Sequence, residues 1–410
     1  MKILISGAGV AGPAAAFWLT RSGHEVVMVE RSNELRSGGY VIDFWGLGYD
    51  IAEKMGLLAQ IRGSGYQVKE VRFVNENGKR RGGFSTDIFT KMTGGRFTSV
   101  QRSEVSAAIF NALDDKTTCI FGDSITSLAD DGEGVNVEFE NASPGRFDLV
   151  LGADGLHSKV RELTFGAETQ FEKPLGYYVA AINIEGYPHR DELVYVSHAV
   201  RGRQVSRFSM RGDRTLFLFV FRDEYLHGSM PKTAEQQRTA LRSIFAAGGW
   251  ECSEILTRLD EVDDIYFDRV SQIRMPSWTR GRIGLIGDSA ACVSLLAGEG
   301  TGLAITEAYV LAGELLRSNN DHKAAFAAYQ ERLMPFLSTK QNSAAAFASS
   351  FVPKSSLGIT FRNIITRLMS IRPVAEYFVG RDLRDHLKLP DYGLGKHIGE
   401  KAHAAKSAAN

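Results

Sequence analysis

The sequence predicts an α/β fold in which a parallel sheet is assembled from distant parts of the chain and a second, antiparallel sheet is inserted. Three short apolar runs, starting near residues 3, 149 and 283, each end in glycine or aspartate and lead into a helix-like stretch. Parallel strands that are buried on both faces have this continuous apolar character. Between the second and third runs, strand-like segments dominate residues 177–272, which favours an antiparallel sheet there.

The first apolar run opens a strand, turn, helix and strand. Residues 3–6 form the predicted strand, and the helix that begins near Val10 has Pro13 in its first turn, where a missing N–H costs nothing. Gly23 is expected to end this helix, and residues 26–29 form the next buried strand. This order is typical of the start of a nucleotide-binding sheet.

Composition excludes several classes of protein. Lys+Arg and Asp+Glu both total 48 in 410 residues, and this zero net charge argues against nucleic acid as the main partner. The three cysteines, Cys119, Cys252 and Cys292, fit neither a disulfide framework nor a zinc site. No metal is therefore expected, and a reducing cytoplasm is the predicted compartment. Because no apolar run reaches the ~18–20 residues that span a bilayer, no membrane partner is expected.

The loop after the first strand, residues 7–12, has the pattern of a dinucleotide-binding turn. The first glycine allows the tight turn, the second lets the backbone approach a pyrophosphate, and the third lets helix and strand come close. The helix N-terminus adds N–H groups and partial positive charge. The candidate residues here are Gly7, Gly9, Val10, Ala11 and Gly12.

Glu30 ends the second strand, 18 residues after Gly12. An acidic side chain at this place accepts hydrogen bonds from the ribose hydroxyls of an adenosine. It favours a cofactor without a 2′-phosphate, which means FAD or NAD rather than NADP at this site.

A second glycine cluster favours FAD over NAD. Gly287-Asp288 follows the third apolar run, and residues 298–302 open a helix about ten residues later. The aspartate is placed to bind ribityl or ribose hydroxyls in the middle of a long ligand, and the helix amides to stabilise negative charge on a flavin ring. The candidate residues are Gly287, Asp288, Gly298, Gly300, Thr301 and Gly302.

Three motifs together resemble the signature of class A flavoprotein monooxygenases, which have the para-hydroxybenzoate hydroxylase fold. They are the 7–12 loop with Glu30, then residues 152–155 with Ser158 and Arg161, then Gly287-Asp288. Within this family the chain is most similar to the tetracycline-destructase-like and antibiotic-tailoring branch, through residues 38–43, 275–282 and 308–315. The resemblance implies a Rossmann-like FAD-binding domain with an inserted antiparallel-sheet substrate domain and C-terminal helices.

These expectations divide the chain into four parts. The FAD-binding domain is predicted to comprise residues 1–70, 97–172 and 273–345. The mostly β substrate domain comprises residues 71–96 and 173–272. A C-terminal helical region follows at 346–392, including an amphipathic stretch over 359–377, and residues 393–410 are predicted to be a disordered tail.

The resemblance also assigns residues outside the glycine clusters to FAD. Arg102 matches the family arginine that reaches the FAD pyrophosphate from the start of a helix. Asp154, followed by Gly155, matches the aspartate that helps to shape the FAD and NAD(P)H surfaces. Three residues beside the adenosine, ribityl chain and flavin complete the assignment: Arg31, Arg36 and Gly39.

The implied function is an NAD(P)H- and O₂-dependent monooxygenase, EC 1.14.13-like, acting on a bulky aromatic or polyketide-like small molecule as a monomer or homodimer. NAD(P)H would bind transiently and reduce the flavin, and O₂ would then form a C4a-hydroperoxide that transfers one oxygen atom. Because the cofactor carries this chemistry, no side chain is assigned a catalytic role.

One departure from the family keeps two alternatives open. Leu295 stands where family members usually have proline, and Glu299 adds a negative charge near the expected ring position. The alternatives are a flavin oxidoreductase without oxygen insertion and a degenerate member that binds flavin or another small molecule.

The substrate domain is predicted to contain a hairpin, with strands at residues 204–211 and 214–223 around a two-residue turn at Gly212-Asp213. In that register Phe208 faces Phe217 and Ser206 faces Phe219, which makes one side strongly aromatic. That side is either ordinary core or the lining of an apolar pocket. The candidate substrate residues are Phe208, Met210, Phe217, Phe219 and Leu295.

Overall fold

Two sheets organise the chain. The computed structural model describes residues 1–36, 39–369, 371, 373–374 and 385–394, except the side chains of 346–350. The strands are β1 Lys2–Ser6, β2 Glu25–Glu30, β3 Val41–Trp45, β4 Glu70–Val74, β5 Arg80–Ser85, β6 Phe97–Gln101, β7 Thr117–Phe121, β8 Ile125–Asp130, β9 Val135–Phe139, β10 Gly145–Phe147, β11 Leu149–Gly152, β12 Glu172–Glu185, β13 Val194–Val200, β14 Arg203–Ser209, β15 Arg214–Arg222, β16 Tyr266–Ile273, β17 Thr279–Arg280 and β18 Ile283–Leu285.

Helices cover these sheets and connect them. They are α1 Ala11–Arg21, α2 Gly46–Lys54, α3 Leu58–Ser64, α4 Asp87–Met92, α5 Arg102–Phe110, α6 Lys159–Phe165, α7 Ala234–Phe245, α8 Cys252–Thr257, α9 Asp288–Ala291, α10 Gly300–Arg317, α11 His322–Phe351 and α12 Ser356–Leu368. The long helix α10 packs against α1, α2 and α11.

The first sheet has six strands in the order β17-β18-β11-β1-β2-β7, parallel except for β17. It brings together the three apolar runs, because β1 pairs with β11 and β11 pairs with β18. Every residue of β11 and β18 is buried, as is all of β1 except its first residue. The predicted α/β fold, with a parallel sheet built from distant segments, is confirmed.

The second sheet has seven strands in the order β16-β12-β15-β14-β13-β4-β5, antiparallel except where β13 lies parallel to β4. Helices α7 and α8 cover its outer face through a shared apolar cluster. Strands dominate residues 177–272, as the sequence predicted, and helices α7 and α8 also lie within that range. Only Leu241, Ile244 and Phe245 of α7 are buried, so the helix carries a short apolar stripe among polar residues.

The hairpin between β14 and β15 has a different turn from the predicted one. Met210 N donates to Arg214 O at 2.7 Å, so three residues, 211–213, form the loop instead of two. Gly212 and Asp213 both have positive φ, at 67° and 56°. One additional loop residue shifts the pairing register by one position. Because side chains alternate between the two faces of a sheet, this shift moves the side chains of one strand to the opposite face relative to those of its partner strand.

The corrected register separates the predicted aromatic set. Phe208 pairs with Leu216, and Val205 pairs with Phe219. Phe217 and Phe219 belong to the outer-face cluster under α7 and α8. Phe208 lies on the inner face, in a cluster with Met210 that the partly buried Tyr40 packs against. The assignment of Phe217 and Phe219 to a common substrate-facing side with Phe208 was therefore wrong.

The end of the described chain returns to the first sheet. Residues 385–394 form no helix or strand, and Leu394 is buried in the core around that sheet. The predicted amphipathic stretch is α12, which ends at Leu368, and Tyr377 lies outside the described residues. Residues 395–410 of the predicted tail, and Gly38, also lie outside them.

Candidate active site

The loops that follow β1, β11 and β18 meet at one edge of the first sheet. Gly7 N donates to Val29 O at 2.7 Å, Ala153 N donates to Ser6 O at 2.8 Å, and Ile286 N donates to Gly152 O at 2.9 Å. These bonds extend the parallel pairing past the strand ends. Ligands of open α/β sheets bind outside the carboxyl ends of the strands, and the three sequence motifs converge at this edge.

The three glycines of the 7–12 loop have different surroundings. A Cβ on Gly12 would lie 1.9 Å from Gly7 O, and one on Gly7 would lie 2.5 Å from Ala153 O, so both positions require glycine. A Cβ on Gly9 would meet Arg102 Nη2 alone, at 3.4 Å. Gly9 therefore offers its backbone to an open space, which is the arrangement that a pyrophosphate requires.

That space is a cleft between the two sheets. Its first wall comes from the motifs identified in the sequence, and its second wall comes from β16, the edge strand of the second sheet, and from Tyr40 just before β3. Ten of the predicted residues line it: Gly9, Val10, Ala11, Arg102, Gly155, Asp288, Leu295, Gly298, Gly300 and Thr301.

Glu30 is held beside the glycine loop. One carboxylate oxygen accepts a hydrogen bond from Ala8 N at 2.8 Å, and the other accepts from Ser32 N at 2.9 Å. These bonds fix the carboxylate at the end of β2, next to the loop that follows β1. The position suits an adenosine ribose, as the sequence predicted.

Arg102 is the first residue of α5, and its guanidinium lies next to Gly9. The helix is fixed to the loop because Ser106 Oγ donates to Gly9 O at 2.6 Å. The structure thus brings an arginine and an open glycine backbone together from segments about 90 residues apart. Arginine is well suited to hold a phosphate.

Asp288, the first residue of α9, lines the same wall. Its Oδ1 is 3.6 Å from where a Cβ on Gly300 would stand, so it is close to the first turn of α10. Burial raises the pKa of the Asp288 carboxyl, and the positive charge of Arg102 opposes this shift. The carboxylate is therefore expected to gain a hydrogen-bonding ligand when the cleft is filled.

Glu307 is a buried residue of α10 that the sequence analysis missed. Its Oε2 accepts from Gly287 N at 2.8 Å and from Tyr329 OH at 3.1 Å, which fixes the turn before Asp288. Burial raises the pKa of Glu307 to about 8, so the carboxyl is largely protonated at neutral pH. Helical periodicity could have found it, because it follows Leu303 and Ala304 on a buried face.

The second wall carries aromatic and polar side chains that sequence reasoning also missed. Tyr40 and Tyr266 line the cleft with their ring centroids 6.0 Å apart, and Arg269 lines it nearby. Burial raises the pKa of Tyr40 to about 12, so its hydroxyl stays protonated. Leu295 joins the two walls, because it packs against a cluster that includes Val220 of β15. These positions depend on how the sheets pack, which no local motif indicates.

Two other predicted residues have structural contacts instead of lining the cleft. Asp154 caps α6, where it accepts hydrogen bonds from Lys159 N at 2.8 Å and Val160 N at 3.0 Å. Gly302 lies where α10 crosses α2, since a Cβ on Gly48 would come within 2.3 Å of its Cα.

The three residues expected beside the adenosine and flavin do not line the cleft. Arg31 and Arg36 are exposed, and Arg36 Nε donates to Ser32 Oγ at 3.0 Å. Gly39 is exposed with φ at 93° and has no neighbour within 4 Å of a Cβ position. Their predicted contacts with FAD stay predictions.

Glu299 differs from its sequence interpretation. Its carboxylate forms an ion pair with Lys340 at 3.1 Å, and Lys340 also pairs with Asp385 at 3.0 Å. The three side chains line a separate small pocket together with Asp43. The charge of Glu299 is therefore balanced by a lysine on α11 and does not act alone on the cleft.

The chain combines a parallel sheet, a glycine-rich turn with a carboxylate fixed beside it, and a cleft that faces a second sheet, which are features of a flavoprotein of the FAD-binding class. The chain belongs to the FAD binding domain family, which matches residues 1–337. It is an FAD-dependent oxidoreductase of the flavin-dependent monooxygenase family, so the resemblance stated from the sequence is confirmed.

Three similar proteins illustrate this membership. An uncharacterized protein of Mycobacterium tuberculosis is 37% identical over 346 residues, covering 83% of this chain and 91% of that protein. A flavin-dependent monooxygenase from an unknown prokaryotic organism is 34% identical over 361 residues, covering 86% and 90%. The crystal structure of tetracycline destructase Tet(51) is 30% identical with a TM-score of 0.80, covering 95% of this chain and 99% of that one.

The residues that the structure describes include neither a metal-binding cluster nor a membrane-spanning helix. Within them, no group of three or more His, Cys, Asp or Glu side chains is arranged to hold a metal ion. In the same part of the chain, no helix is both long and apolar enough to cross a membrane.

Proposed function

We propose that this protein uses NAD(P)H and O₂ to oxygenate a bulky aromatic or polyketide-like small molecule with FAD as its cofactor. The observation that carries the proposal is the cleft, which the FAD motifs line together with Tyr40, Tyr266 and Leu295. A cofactor on the first wall would expose its reactive ring to a substrate on the second.

The residues of the first wall fit FAD. Glu30 would bind the adenosine ribose, Arg102 and the Gly9 backbone the pyrophosphate, and Asp288 the ribityl chain. The first amides of α10, at Gly300 and Thr301, would face the flavin ring. FAD, when bound, supplies hydride acceptance from NAD(P)H and the transfer of one oxygen atom from O₂, by the route that the family resemblance implies.

The protein's own contribution on the substrate side is shape and hydrogen bonding. The rings of Tyr40 and Tyr266 offer apolar surface, and burial raises the pKa of both hydroxyls, which stay protonated donors at neutral pH. Phe208 and Met210 lie in the cluster behind Tyr40 and would set the depth of the pocket. The similarity to a tetracycline destructase supports a polycyclic substrate.

The domain division also remains a proposal. We assign the seven-stranded sheet, with residues 71–96 and 173–272, to substrate binding and the remaining chain up to 345 to FAD. A cytoplasmic location and a monomeric or homodimeric state stay predictions. The choice between NADH and NADPH is open.

Leu295 supports a second candidate function. It lines the cleft where family members usually have proline, in the loop between α9 and α10. A less rigid loop would admit water beside the flavin and favour a flavin oxidoreductase that does not insert oxygen into its substrate, or a family member that binds flavin or another small molecule without turnover.

One experiment separates these functions. The purified holoprotein is given NADH or NADPH under ¹⁸O₂ with tetracycline or a polycyclic phenol, and coenzyme consumption, H₂O₂ release and product mass are measured. We expect bound FAD, substrate-stimulated coenzyme oxidation and one ¹⁸O atom in the product. Coenzyme oxidation with H₂O₂ and an unlabelled product would favour the oxidoreductase, and bound flavin without coenzyme oxidation would contradict both enzymatic proposals.

A further inference from the structure

Helix α12 presents an exposed apolar stripe. Its exposed members recur at alternating spacings of four and three residues, which places them on one helical face. With the residue that follows the helix at the same spacing, they are Leu357 (83% exposed), Phe361 (66%), Ile364 (50%), Leu368 (45%) and Ile371 (52%). In the rest of the described chain, large apolar side chains that are exposed reach at most 40%, at Leu163, Tyr266 and Leu316.

The opposite face of α12 is fixed to the second sheet. Thr366 Oγ1 accepts a hydrogen bond from Gly83 N of β5 at 3.1 Å. The Arg362 guanidinium lies 4.0 Å from the centroid of the Phe73 ring and donates to Gln204 Oε1 at 2.7 Å. The helix is therefore held in one orientation, and its apolar stripe faces outward because the inward face is already occupied.

The charged residues of α12 and of its two flanks have one sign. Residues 352–371 contain no aspartate or glutamate, whereas Lys354, Arg362 and Arg367 are basic. Lys354, just before α12, and Arg367, near its end, are both exposed. A stripe of Leu, Ile and Phe beside basic side chains is the composition of a helix that lies in a lipid interface.

We propose that α12 docks this protein onto the surface of a lipid membrane with anionic headgroups, with its apolar stripe inserted at the headgroup boundary. No membrane partner was expected from the sequence, because no apolar run is long enough to span a bilayer. A helix of 13 residues that lies in the membrane plane needs no such length. Lys354 and Arg367 would contact the headgroup phosphates.

A second copy of the chain fits this face less well. The stripe covers about two heptads, which is shorter than the three to four heptads over which a coiled-coil pattern is sustained. Pairing α12 with a second copy of itself would also place basic side chains against basic side chains, because the helix has no acidic residue that could form ion pairs with them. A lipid surface supplies negative charge without requiring a matching register.

Vesicle binding tests the proposal with the full-length holoprotein. It is sedimented with vesicles of phosphatidylcholine alone or of phosphatidylcholine mixed with phosphatidylglycerol, and the bound fraction gives a partition coefficient. We expect binding to the anionic vesicles. The double variant Leu357→Ser/Phe361→Ser should reduce that coefficient at least about tenfold, because both side chains lose apolar insertion.

Charge variants and a matched control complete the design. Lys354→Gln and Arg367→Gln should each weaken binding to anionic vesicles about fivefold and leave binding to neutral vesicles unchanged. Leu316→Ser, which alters an exposed leucine at the end of α10, should bind as the wild type does. Flavin absorbance verifies that each variant is folded.

Three outcomes would overturn the proposal. They are no sedimentation of the wild type with anionic vesicles, equal binding by the Leu357→Ser/Phe361→Ser variant, and a dimer in light scattering that this variant dissociates. The last result would assign the stripe to a second copy of the chain. The readout is independent of turnover, so the test stands whether or not the proposed oxygenation is correct.

Discussion

Residues of the same type have different roles in the site, according to what surrounds them. Gly7 and Gly12 are required because a Cβ at either position would collide with backbone, whereas Gly9 opens onto the cleft beside Arg102. Substitution at the first two therefore acts through the turn itself. At Gly9 a side chain would instead occupy the space beside the arginine, where a phosphate is expected to lie.

Glu30→Gln should weaken FAD binding. The carboxylate accepts from Ala8 N and Ser32 N, and an amide can accept only one of these bonds while it loses the charge-assisted bonds to a ribose. We expect the dissociation constant for FAD to rise about tenfold to a hundredfold, measured by quenching of flavin fluorescence. Glu25→Gln, on the exposed end of the same strand, is the matched control and should bind as the wild type does. Equal affinity in both variants would contradict the assignment of Glu30.

Motifs predicted those residues whose role is set by the local backbone. The glycine turn, Glu30 and the Gly287-Asp288 turn could be identified because their spacing along one strand–turn–helix unit fixes their geometry. Tyr266 and Arg269 could not, because they reach the cleft only through the packing of the second sheet against the first. Asp154 lies in a recognised motif, yet its carboxylate caps α6, which its position in the sequence does not reveal.

Elements are positioned by contacts that sequence periodicity describes only in part. The alternating pattern of residues 204–223 predicted a hairpin, and β14 and β15 do pair as one. The predicted turn was one residue too short, however. Because side chains alternate between the two faces of a strand, this error placed Phe217 and Phe219 on the wrong face of the sheet. Phe217 and Phe219 consequently pack beneath α7 and α8, while Phe208 remains on the inner face.

Glu307 connects two elements and gives a prediction about pH. Burial raises its pKa from 4.5 to about 8, so between these values the folded protein keeps a proton that the unfolded chain releases. Stability should therefore fall as the pH rises through this window, by at most about 1.4 kcal/mol per pH unit from this group. The amide of Glu307→Gln does not titrate, so the variant should lack this decline. The difference between its free energy of unfolding and that of the wild type, measured by urea unfolding, should therefore increase with pH.

Tyr329→Phe is the control for this prediction. It removes a hydrogen bond to Glu307 Oε2 but keeps the carboxyl group, so it should be less stable than the wild type and retain the wild-type decline with pH. A difference between Glu307→Gln and the wild type that stays constant from about pH 5 to pH 8 would show that Glu307 does not titrate in this range.

Across the whole molecule, a few long-range contacts link the two sheets around the cleft. His157, in the loop after β11, lies 3.3 Å from Asp268 of β16 and 3.0 Å from Glu168. The hydrogen bond with Asp268, and to a smaller extent the one with Glu168, raises the pKa of His157 to about 9. The imidazole is therefore protonated at neutral pH. This charged link and the packing of Leu295 hold the edge strand of the second sheet against the FAD motifs.

The final described segment forms the other long-range link, which composition and motifs did not indicate. Asp385 Oδ2 accepts from Leu47 N at 2.9 Å at the start of α2, and its other oxygen pairs with Lys340. Tyr392 OH donates to Glu314 Oε1 at 2.6 Å, and its ring lies where a Cβ on Gly313 would stand. The segment therefore contacts both α2 and α10, the helices that cross beside the cleft, and is expected to stabilise their positions.

Truncation tests this role of residues 385–394. A chain that ends at 384 loses the buried Leu394, the packed ring of Tyr392 and the two contacts of Asp385. We expect its free energy of unfolding to fall by about 3 to 6 kcal/mol, because each large apolar side chain contributes about 1.5 to 3 kcal/mol when buried. Its FAD content should fall as well, since α10 carries Gly300 and Thr301.

A chain that ends at 394 keeps every one of these contacts and is the matched control, measured by urea unfolding and flavin absorbance. If both truncated chains match the full-length protein, the segment does not support the cleft, and the crossing of α2 over α10 is held by their own close approach at Gly48 and Gly302.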